Sequence, residues 1–192
     1  MQNRLRRPRR TAVPLIAGAA MASRGPHRVI LGVDPSLRGT GWGVIAIEPA
    51  APRLLGCGVV NCPAGWERSR CLARIAGTLR EVIQQLHPTV CAVEGLFFAQ
   101  NLQTALIMGE ARGAALVAVA EAGLEVFELA PRKVKQAIVG YGAAQKLAVA
   151  KMVQRMLTLP ELPAPDAADA LALALTHAQE QRRYALSPPK RI

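Results

Sequence analysis

Zinc-binding, disulfide and membrane-spanning patterns are all missing from this 192-residue chain. None of its four cysteines forms a C-x-x-C pair, and its three histidines have no zinc-like spacing from them. We therefore expect free, buried thiols in a reducing cytoplasm. Since no uncharged stretch reaches the roughly 18 residues of a membrane span, we do not expect a transmembrane segment.

Acidic residues are absent from segment 1–27, which holds six arginines. Residues 28–192 still carry 18 basic against 13 acidic residues, within a net charge of +11 for the whole chain. This excess of positive charge attracts polyanions such as nucleic acids. With 51% hydrophobic residues, a disordered chain is excluded, and the length indicates one domain.

Segment 1–27 has several interpretations. A secretory signal would have its hydrophobic region broken by Pro14, and an organelle transit peptide also matches the arginines. The alternatives are a disordered basic arm or an upstream start codon, with the protein beginning near Met21. We predict a basic, disordered extension over 1–27, one domain over 28–184 and a basic tail over 185–192.

The hydrophobic periodicity predicts an α/β fold, a mixed five-stranded sheet with helices on both faces. The predicted strands span 27–33, 41–48, 53–61, 89–94 and 124–130. The predicted helices span 66–86, 101–122, 131–139, 143–159 and 166 to about 184. Short connections indicate an antiparallel meander of the first three strands. Long helical crossovers indicate parallel, right-handed pairing of strand three with four and of strand four with five.

Four acids end or begin predicted elements: Asp34, Glu94, Asp166 and Asp169. An acid that ends a buried strand is costly unless a cation meets it, and oxygen ligands suit the Mg²⁺ ions that cleave phosphodiesters. Asp34 and Glu94 would lie side by side if strands one and four are neighbours. Structural explanations remain open: an Asx-turn for Asp34, and helix capping for the two aspartates after the Pro-rich loop.

Two further patterns have more than one interpretation. Gly109 and Gly113, four apart on a predicted helix, permit close packing of another backbone, either within the subunit or between subunits. Basic residues on the later helices either contact phosphates or form a solvated face. These basic residues are Lys133, Lys135, Lys146, Lys151 and Arg155.

In order, the motifs ILGVDPSLRGTGWGVI, AVEGLFFAQN with ALIMGEARG, FELAPRKVKQAIVGYGAAQK and LPAPDAADALALALTHA resemble those of RuvC-type Holliday-junction resolvases. The resemblance covers residues 28–180. It implies an RNase H-like fold, a homodimer, and paired nicking of four-way DNA junctions with two Mg²⁺ per subunit, for which Mn²⁺ substitutes. It also places the interface on helix 101–122 and suggests the branch-migration proteins RuvA and RuvB as partners in DNA recombination and repair.

By the family pattern, Asp34, Glu94, Asp166 and Asp169 are the metal-binding catalytic carboxylates. The predicted DNA-binding residues are Phe97, Lys135, Lys146 and Arg112, with Phe97 stacking on an unpaired base. Gly95, Phe98 and the Ser36-Leu37 turn depart from the family pattern. Rival interpretations are an actin-type ATP-binding protein, which needs two such domains, a non-catalytic junction-binding protein, and an RNA-processing nuclease.

Overall fold

The computed structural model describes residues 28–95, 101–182 and 190–192. Its strands are β1 (Val29–Asp34), β2 (Gly39–Ile47), β3 (Pro52–Asn61), β4 (Val90–Glu94), β5 (Glu125–Leu129) and β6 (Lys190–Arg191). Its helices are α1 (Arg68–Leu86), α2 (Leu102–Glu121), α3 (Pro131–Val139), α4 (Lys146–Met156) and α5 (Pro165–Arg182). The predicted α/β element order is therefore confirmed over these ranges.

The six strands form one mixed sheet in the order β3-β2-β1-β4-β5-β6. The predicted meander of β1, β2 and β3 is confirmed as antiparallel, and β4 and β5 are parallel as predicted. β3 and β4 run in parallel directions as predicted, but they are not neighbours, because β4 pairs with β1. The meander occupies only one side of β1, and its other side is where the chain adds β4.

The sheet has six strands rather than the predicted five, because β6 pairs antiparallel with the edge of β5. β6 contains only Lys190 and Arg191, both exposed, so it carries none of the hydrophobic alternation by which strands are recognised. Its stabilisation comes from backbone pairing and from an ion pair between Arg191 and Glu125, with an N–O distance of 2.7 Å.

Helices cover both faces of the sheet, as predicted. On one face, Leu31 and Val33 of β1 pack with buried residues of α1 and α2, such as Leu79 and Ala115. On the other face, Ile30 of β1 packs with buried residues of α3, α4 and α5. Alternate residues of a strand point to opposite faces, so β1 contributes to two separate cores.

Glycines let α5 approach the sheet at backbone contact. A Cβ atom on Gly32 would lie 1.9 Å from the Ala170 carbonyl oxygen, and one on Gly41 would lie 1.9 Å from the Asp166 carbonyl oxygen. No other residue leaves room for these contacts, since real Cβ atoms do not come this close to backbone oxygen. The glycines of β1 and β2 therefore fix the depth at which α5 begins.

Helix α2 is long and apolar enough to cross a membrane by those two criteria, unlike any other helix in the described ranges. Two charged residues lie in its middle, and both are paired within the fold. Glu110 accepts a hydrogen bond of 3.1 Å from Arg68 of α1, and Arg112 forms an ion pair with Glu128 of β5. These pairs, with the buried side of α2 against α1, indicate a helix of the folded domain.

Candidate active site

The ends of β1 and β4 place Asp34 beside Glu94. The two strands are parallel, and Val33 lies opposite Val93 in the register, so the next residue of each strand is the acid. Strand alternation turns both side chains toward the α5 face of the sheet. The two carboxyl groups share a hydrogen bond. The predicted proximity of the two acids is confirmed.

The first turns of α5 bring Asp166 and Asp169 to the same strand ends. The charges of both aspartates act on Asp34 and contribute to raising the pKa of its carboxyl group. Asp169 accepts a hydrogen bond of 2.7 Å from Lys146, the first residue of α4. Acids from three elements thus meet at one edge of the sheet, because the glycine contacts fix where α5 begins.

A cavity of about 160 Å³ opens at this edge of the sheet. Three acids (Asp34, Glu94, Asp169) and two lysines (Lys135, Lys146) line it. Apolar side chains of α3, α4 and α5 form the rest of its wall. Carboxylates and amines facing a small, partly apolar space form the arrangement expected of a site for chemistry on a charged ligand.

Burial and mutual repulsion raise the pKa of the paired carboxyl groups. Burial raises the pKa of Glu94 to about 8, and the neighbouring charge of Asp34 adds to that rise. Burial also raises the pKa of Asp34, which the hydrogen bond with Glu94 partly offsets. The hydrogen bond from Lys146 to Asp169 raises the pKa of the Lys146 amine. The pKa shifts of Asp34 and Glu94 have one cause, two carboxyl groups buried side by side.

The donor chemistry of this edge fits a divalent metal ion. The acids offer only oxygen ligands, which Mg²⁺ and Mn²⁺ prefer, and Asp34 and Glu94 lie side by side at the strand ends. Over the described ranges no three His, Cys, Asp or Glu side chains are already grouped around a metal position. Asp169 is instead turned to Lys146, so a metal would compete with this ammonium group for the carboxylate.

The structural explanations for the acids are not what the site shows. The β1–β2 turn is closed by Thr40, whose hydroxyl donates to the Ser36 carbonyl oxygen at 2.6 Å and accepts from the Ser36 amide at 3.1 Å. Asp34 is thereby left to face Glu94. Helix α5 begins at Pro165, so Asp166 lies in its first turn rather than at the N-cap position.

The predicted DNA-binding residues do not all lie together. Lys135 and Lys146 line the cavity, as expected of lysines near a reacting phosphate. Lys133, two residues before Lys135, forms an ion pair with Glu180 instead. Phe97, together with Phe98, lies outside the described residues. Gly95 is buried, and its amide donates to the Leu129 carbonyl oxygen at 2.9 Å.

Arg112 lies on the far side of the sheet from the cavity. Its Nη2 donates to Glu128 of β5, and its Nε donates to the Glu94 carbonyl oxygen at 3.3 Å. The Arg112 side chain is only 11% exposed. Glu128 was not singled out in the sequence, although an acid between the buried Val126 and Leu129 carries the same signal as Glu94. This position favours a supporting role for Arg112 over the predicted DNA contact.

Comparison with known proteins gives one consistent family. A model of the family described as crossover junction endodeoxyribonuclease RuvC matches residues 30–177. The crossover junction endodeoxyribonuclease RuvC of Rubrobacter xylanophilus is 45% identical over 159 residues, which cover 82% of this chain and 89% of that protein. The RuvC of Chloroflexus aggregans is 46% identical over 149 residues, covering 77% of this chain and 91% of that protein.

Solved structures show the same fold. RuvC of T. thermophilus in complex with a Holliday junction substrate matches with a TM-score of 0.79 at 40% identity, covering 86% of this chain and 100% of that one. The mixed sheet with helices on both faces is the RNase H-like fold of these resolvases, as the motifs implied.

Proposed function

The chain belongs to the RuvC family of crossover junction endodeoxyribonucleases, and we propose on that premise that it resolves four-way (Holliday) DNA junctions by paired, symmetric nicks. The observation that carries the proposal is the convergence of Asp34, Glu94 and Asp169 on one cavity, with Asp166 beside them. The basic body of the protein supplies attraction for the DNA backbone.

The proposed cofactor is a pair of Mg²⁺ ions per subunit, with Mn²⁺ as a substitute. Asp34, Glu94, Asp166 and Asp169 would hold them, which is supported by their oxygen donors and by the closeness of Asp34 and Glu94 at the strand ends. When bound, such ions supply an activated water and neutralise charge on the scissile phosphate. The catalytic role of the four acids follows from this assignment.

The lysines of the cavity act on the phosphate in this proposal. Lys146 begins α4 at the cavity, and its amine is 2.7 Å from Asp169, so it is held within reach of a phosphate bound there. Its raised pKa keeps it charged at neutral pH. A cation preorganised beside a reacting phosphate stabilises the charge that develops in the transition state. Lys135 orients the DNA strand from α3, and Phe97 stacks on an unpaired base.

A second copy of the chain is the proposed cover for the outer face of α2. Residues at helical spacing form this face: Leu102, Leu106, Gly109, Gly113 and Val117. Leu102 is 76% exposed and Leu106 is 58% exposed. A Cβ atom on either glycine would meet nothing within 4 Å, so neither glycine is used for packing in the described part of the subunit.

Close helix approach in a homodimer uses both features of this face, small residues and exposed leucines. The two-fold axis of a homodimer matches the two-fold symmetry of a four-way junction, which supports paired cutting. The proposed setting is the cytoplasm, in DNA recombination and repair, with RuvA and RuvB as partners. Segment 1–27 is proposed to be a basic extension outside the nuclease domain, which we propose begins at residue 28 and includes β6 as well as the predicted range 28–184.

The test is cleavage of a labelled synthetic four-way DNA junction in Mg²⁺, compared with a linear duplex of the same sequence. Symmetric nicks on the junction alone are expected. Asp34→Asn should bind the junction as the wild type does and lose cleavage by about 10³-fold or more, because it removes a charged ligand from the site. Binding without cutting in both Mg²⁺ and Mn²⁺ would contradict the nuclease. Equal cleavage of RNA, or of duplex DNA, would contradict the junction substrate.

A further inference from the structure

Glu94 is supported from the side of the sheet opposite to its carboxylate. Its side chain points to the α5 face, whereas α2 packs on the other face, together with Cys91 and Val93 of the same strand. Arg112 of α2 reaches from that face to the strand end, where its Nε donates to the Glu94 carbonyl oxygen at 3.3 Å. The carboxylate of Glu94 and the Arg112 side chain that binds its carbonyl oxygen therefore lie on opposite faces of the sheet.

Arg112 is itself fixed by Glu128. Glu128 lies on β5, in register with Val93, and its Oε2 accepts from Nη2 of Arg112. The side chains are 11% and 19% exposed, so little water competes for the pair. Lys190 of β6 approaches the other oxygen of Glu128 at 3.9 Å, too far for a hydrogen bond. A planar guanidinium bound at two positions has little freedom to move.

The end of β4 needs such support. β5 ends at Leu129, opposite Glu94, and the amide of Gly95 makes the last backbone bond between these strands. At this strand end the Glu94 side chain lies beside Asp34, and the hydrogen bond from Arg112 is a second attachment for the Glu94 backbone. Catalytic groups work only when held to within about 0.5 Å of their productive positions.

We infer that Arg112 is a positioning residue for Glu94, held in place by Glu128, and that it does not contact DNA. Arg112 fixes the backbone of the strand end, so that the Glu94 carboxylate stays opposite Asp34. The inference rests on the proposed function, in which Glu94 binds the metal. It replaces the DNA-binding role that the motif pattern predicts for Arg112.

The experiment compares Arg112→Met and the double variant Arg112→Met/Glu128→Leu with the wild type. The single variant leaves Glu128 buried without its partner, which also destabilises the fold. The double variant replaces the pair by apolar side chains of similar size and so restores packing without restoring the bond to Glu94. Arg80→Met is the matched control, because it breaks an exposed Arg–Glu pair between Arg80 of α1 and Glu121 of α2.

Three quantities are measured: junction affinity in EDTA, Mn²⁺ affinity by calorimetry without DNA, and single-turnover cleavage over a Mg²⁺ titration. In the double variant we expect unchanged junction affinity, Mn²⁺ binding weakened by about 10-fold or more, and cleavage slowed by a similar factor at limiting Mg²⁺, as for other groups that orient metal ligands. Arg112→Lys, which keeps the charge but not the planar fork, should fall between the wild type and Arg112→Met. Arg80→Met should match the wild type in all three.

Two results would overturn the positioning role. Weaker junction binding in EDTA, with a salt dependence reduced by about one ion, would make Arg112 a phosphate contact. Wild-type Mn²⁺ affinity and cleavage in the double variant would reduce the pair to fold stability alone. If the wild type fails to cut any junction, the proposed function fails, and the Mn²⁺ comparison still decides whether Arg112 positions Glu94.

Discussion

Helices α2 and α5 have similar compositions and opposite surroundings. Both are rich in alanine and leucine, yet Leu171 and Leu173 of α5 are 0% and 2% exposed, whereas Leu102 and Leu106 of α2 are 76% and 58% exposed. α5 lies across β1 and β2 with three helices on its side of the sheet, and α2 lies at the outer surface beside α1. The composition of a helix therefore indicates that its apolar side chains need to be buried. Only the structure shows whether the same subunit buries them.

The glycines of the two regions differ in the same way. Gly32 and Gly41 are required for packing within the subunit. A Cβ atom added at either position would lie 1.9 Å from a backbone oxygen of α5. By contrast, no atom of the described residues would come within 4 Å of a Cβ atom on Gly109 or Gly113 of α2. One set of glycines explains how the acids of α5 reach the site, and the other leaves room for a second subunit.

The largest effect is expected where α5 meets the sheet. Gly32→Ala forces a methyl group against the Ala170 carbonyl oxygen, and the helix must shift. We expect the free energy of unfolding to fall by about 3 kcal/mol or more, because backbone cannot yield as a flexible side chain does. Urea denaturation measures the change. Gly77→Ala on α1, where a Cβ meets nothing within 4 Å, is the control and should not destabilise. Equal stability of both variants would contradict the close contact.

Substitutions on the outer face of α2 should leave the fold of the monomer intact and weaken the dimer. Leu106→Glu places a charge at the proposed interface, and we expect the dimer to dissociate about 100-fold more readily, or roughly 3 kcal/mol. Sedimentation velocity over a concentration series measures this. Leu147→Glu, on an α4 side chain that is 59% exposed, should leave the oligomeric state unchanged. Dimers of unaltered strength in Leu106→Glu would place the interface elsewhere.

The pH dependence of stability in EDTA tests the burial of Glu94 beside Asp34 at the ends of β4 and β1. The pKa of Glu94 is about 8 in the folded protein against 4.5 for an unperturbed Glu. Between these values the unfolded chain loses its proton and the folded one keeps it, so unfolding becomes easier as the pH rises. We expect Tm to fall from about pH 5 to pH 8 and then to level off as far as Glu94 contributes. Glu94→Gln should flatten this part of the profile. A profile unchanged by that substitution would contradict the raised pKa of Glu94.

The smallest effect separates the glycines of α2 from those under α5. In the monomeric Leu106→Glu background, Gly109→Ala should raise the free energy of unfolding by about 1 kcal/mol, since alanine favours helix and no atom obstructs the methyl group. In the wild-type background the same methyl group should weaken the dimer. Thermal unfolding and sedimentation measure the two effects. Destabilisation of the monomer would show that the space in front of Gly109 is filled by its own chain.

Much of the fold and of the candidate site is readable from local patterns. Asp34 and Glu94 each close a run of apolar residues, and the structure places them side by side where parallel strands end. Lys135 and Lys146 also line the predicted site. The pairing of β4 was not readable, because a long crossover reaches any free strand edge. β6 escaped prediction because two exposed, charged residues carry no periodic signal.

Arg112 shows the same limit at the scale of one side chain. Its place in a motif marks it as important, but the motif cannot say which side of the sheet it occupies. Its contact with the Glu94 carbonyl oxygen depends on Glu128, sixteen residues away along the chain and on another element. A pairing of this kind results from the packing of α2 on β5, so it cannot be predicted from the local sequence around Arg112.

The sequence by itself determined the positions of the helices and of every described strand except β6, which acids lie at their ends, and which family the motifs resemble, because hydrophobic period and turn chemistry are local properties. Only the tertiary structure decided that β4 joins β1, that glycines seat α5 against the sheet, and that Arg112 donates to the Glu94 carbonyl oxygen. These depend on contacts between segments far apart in the chain, whose geometry is set by packing and by the hydrogen bonds that remain once the cores are filled.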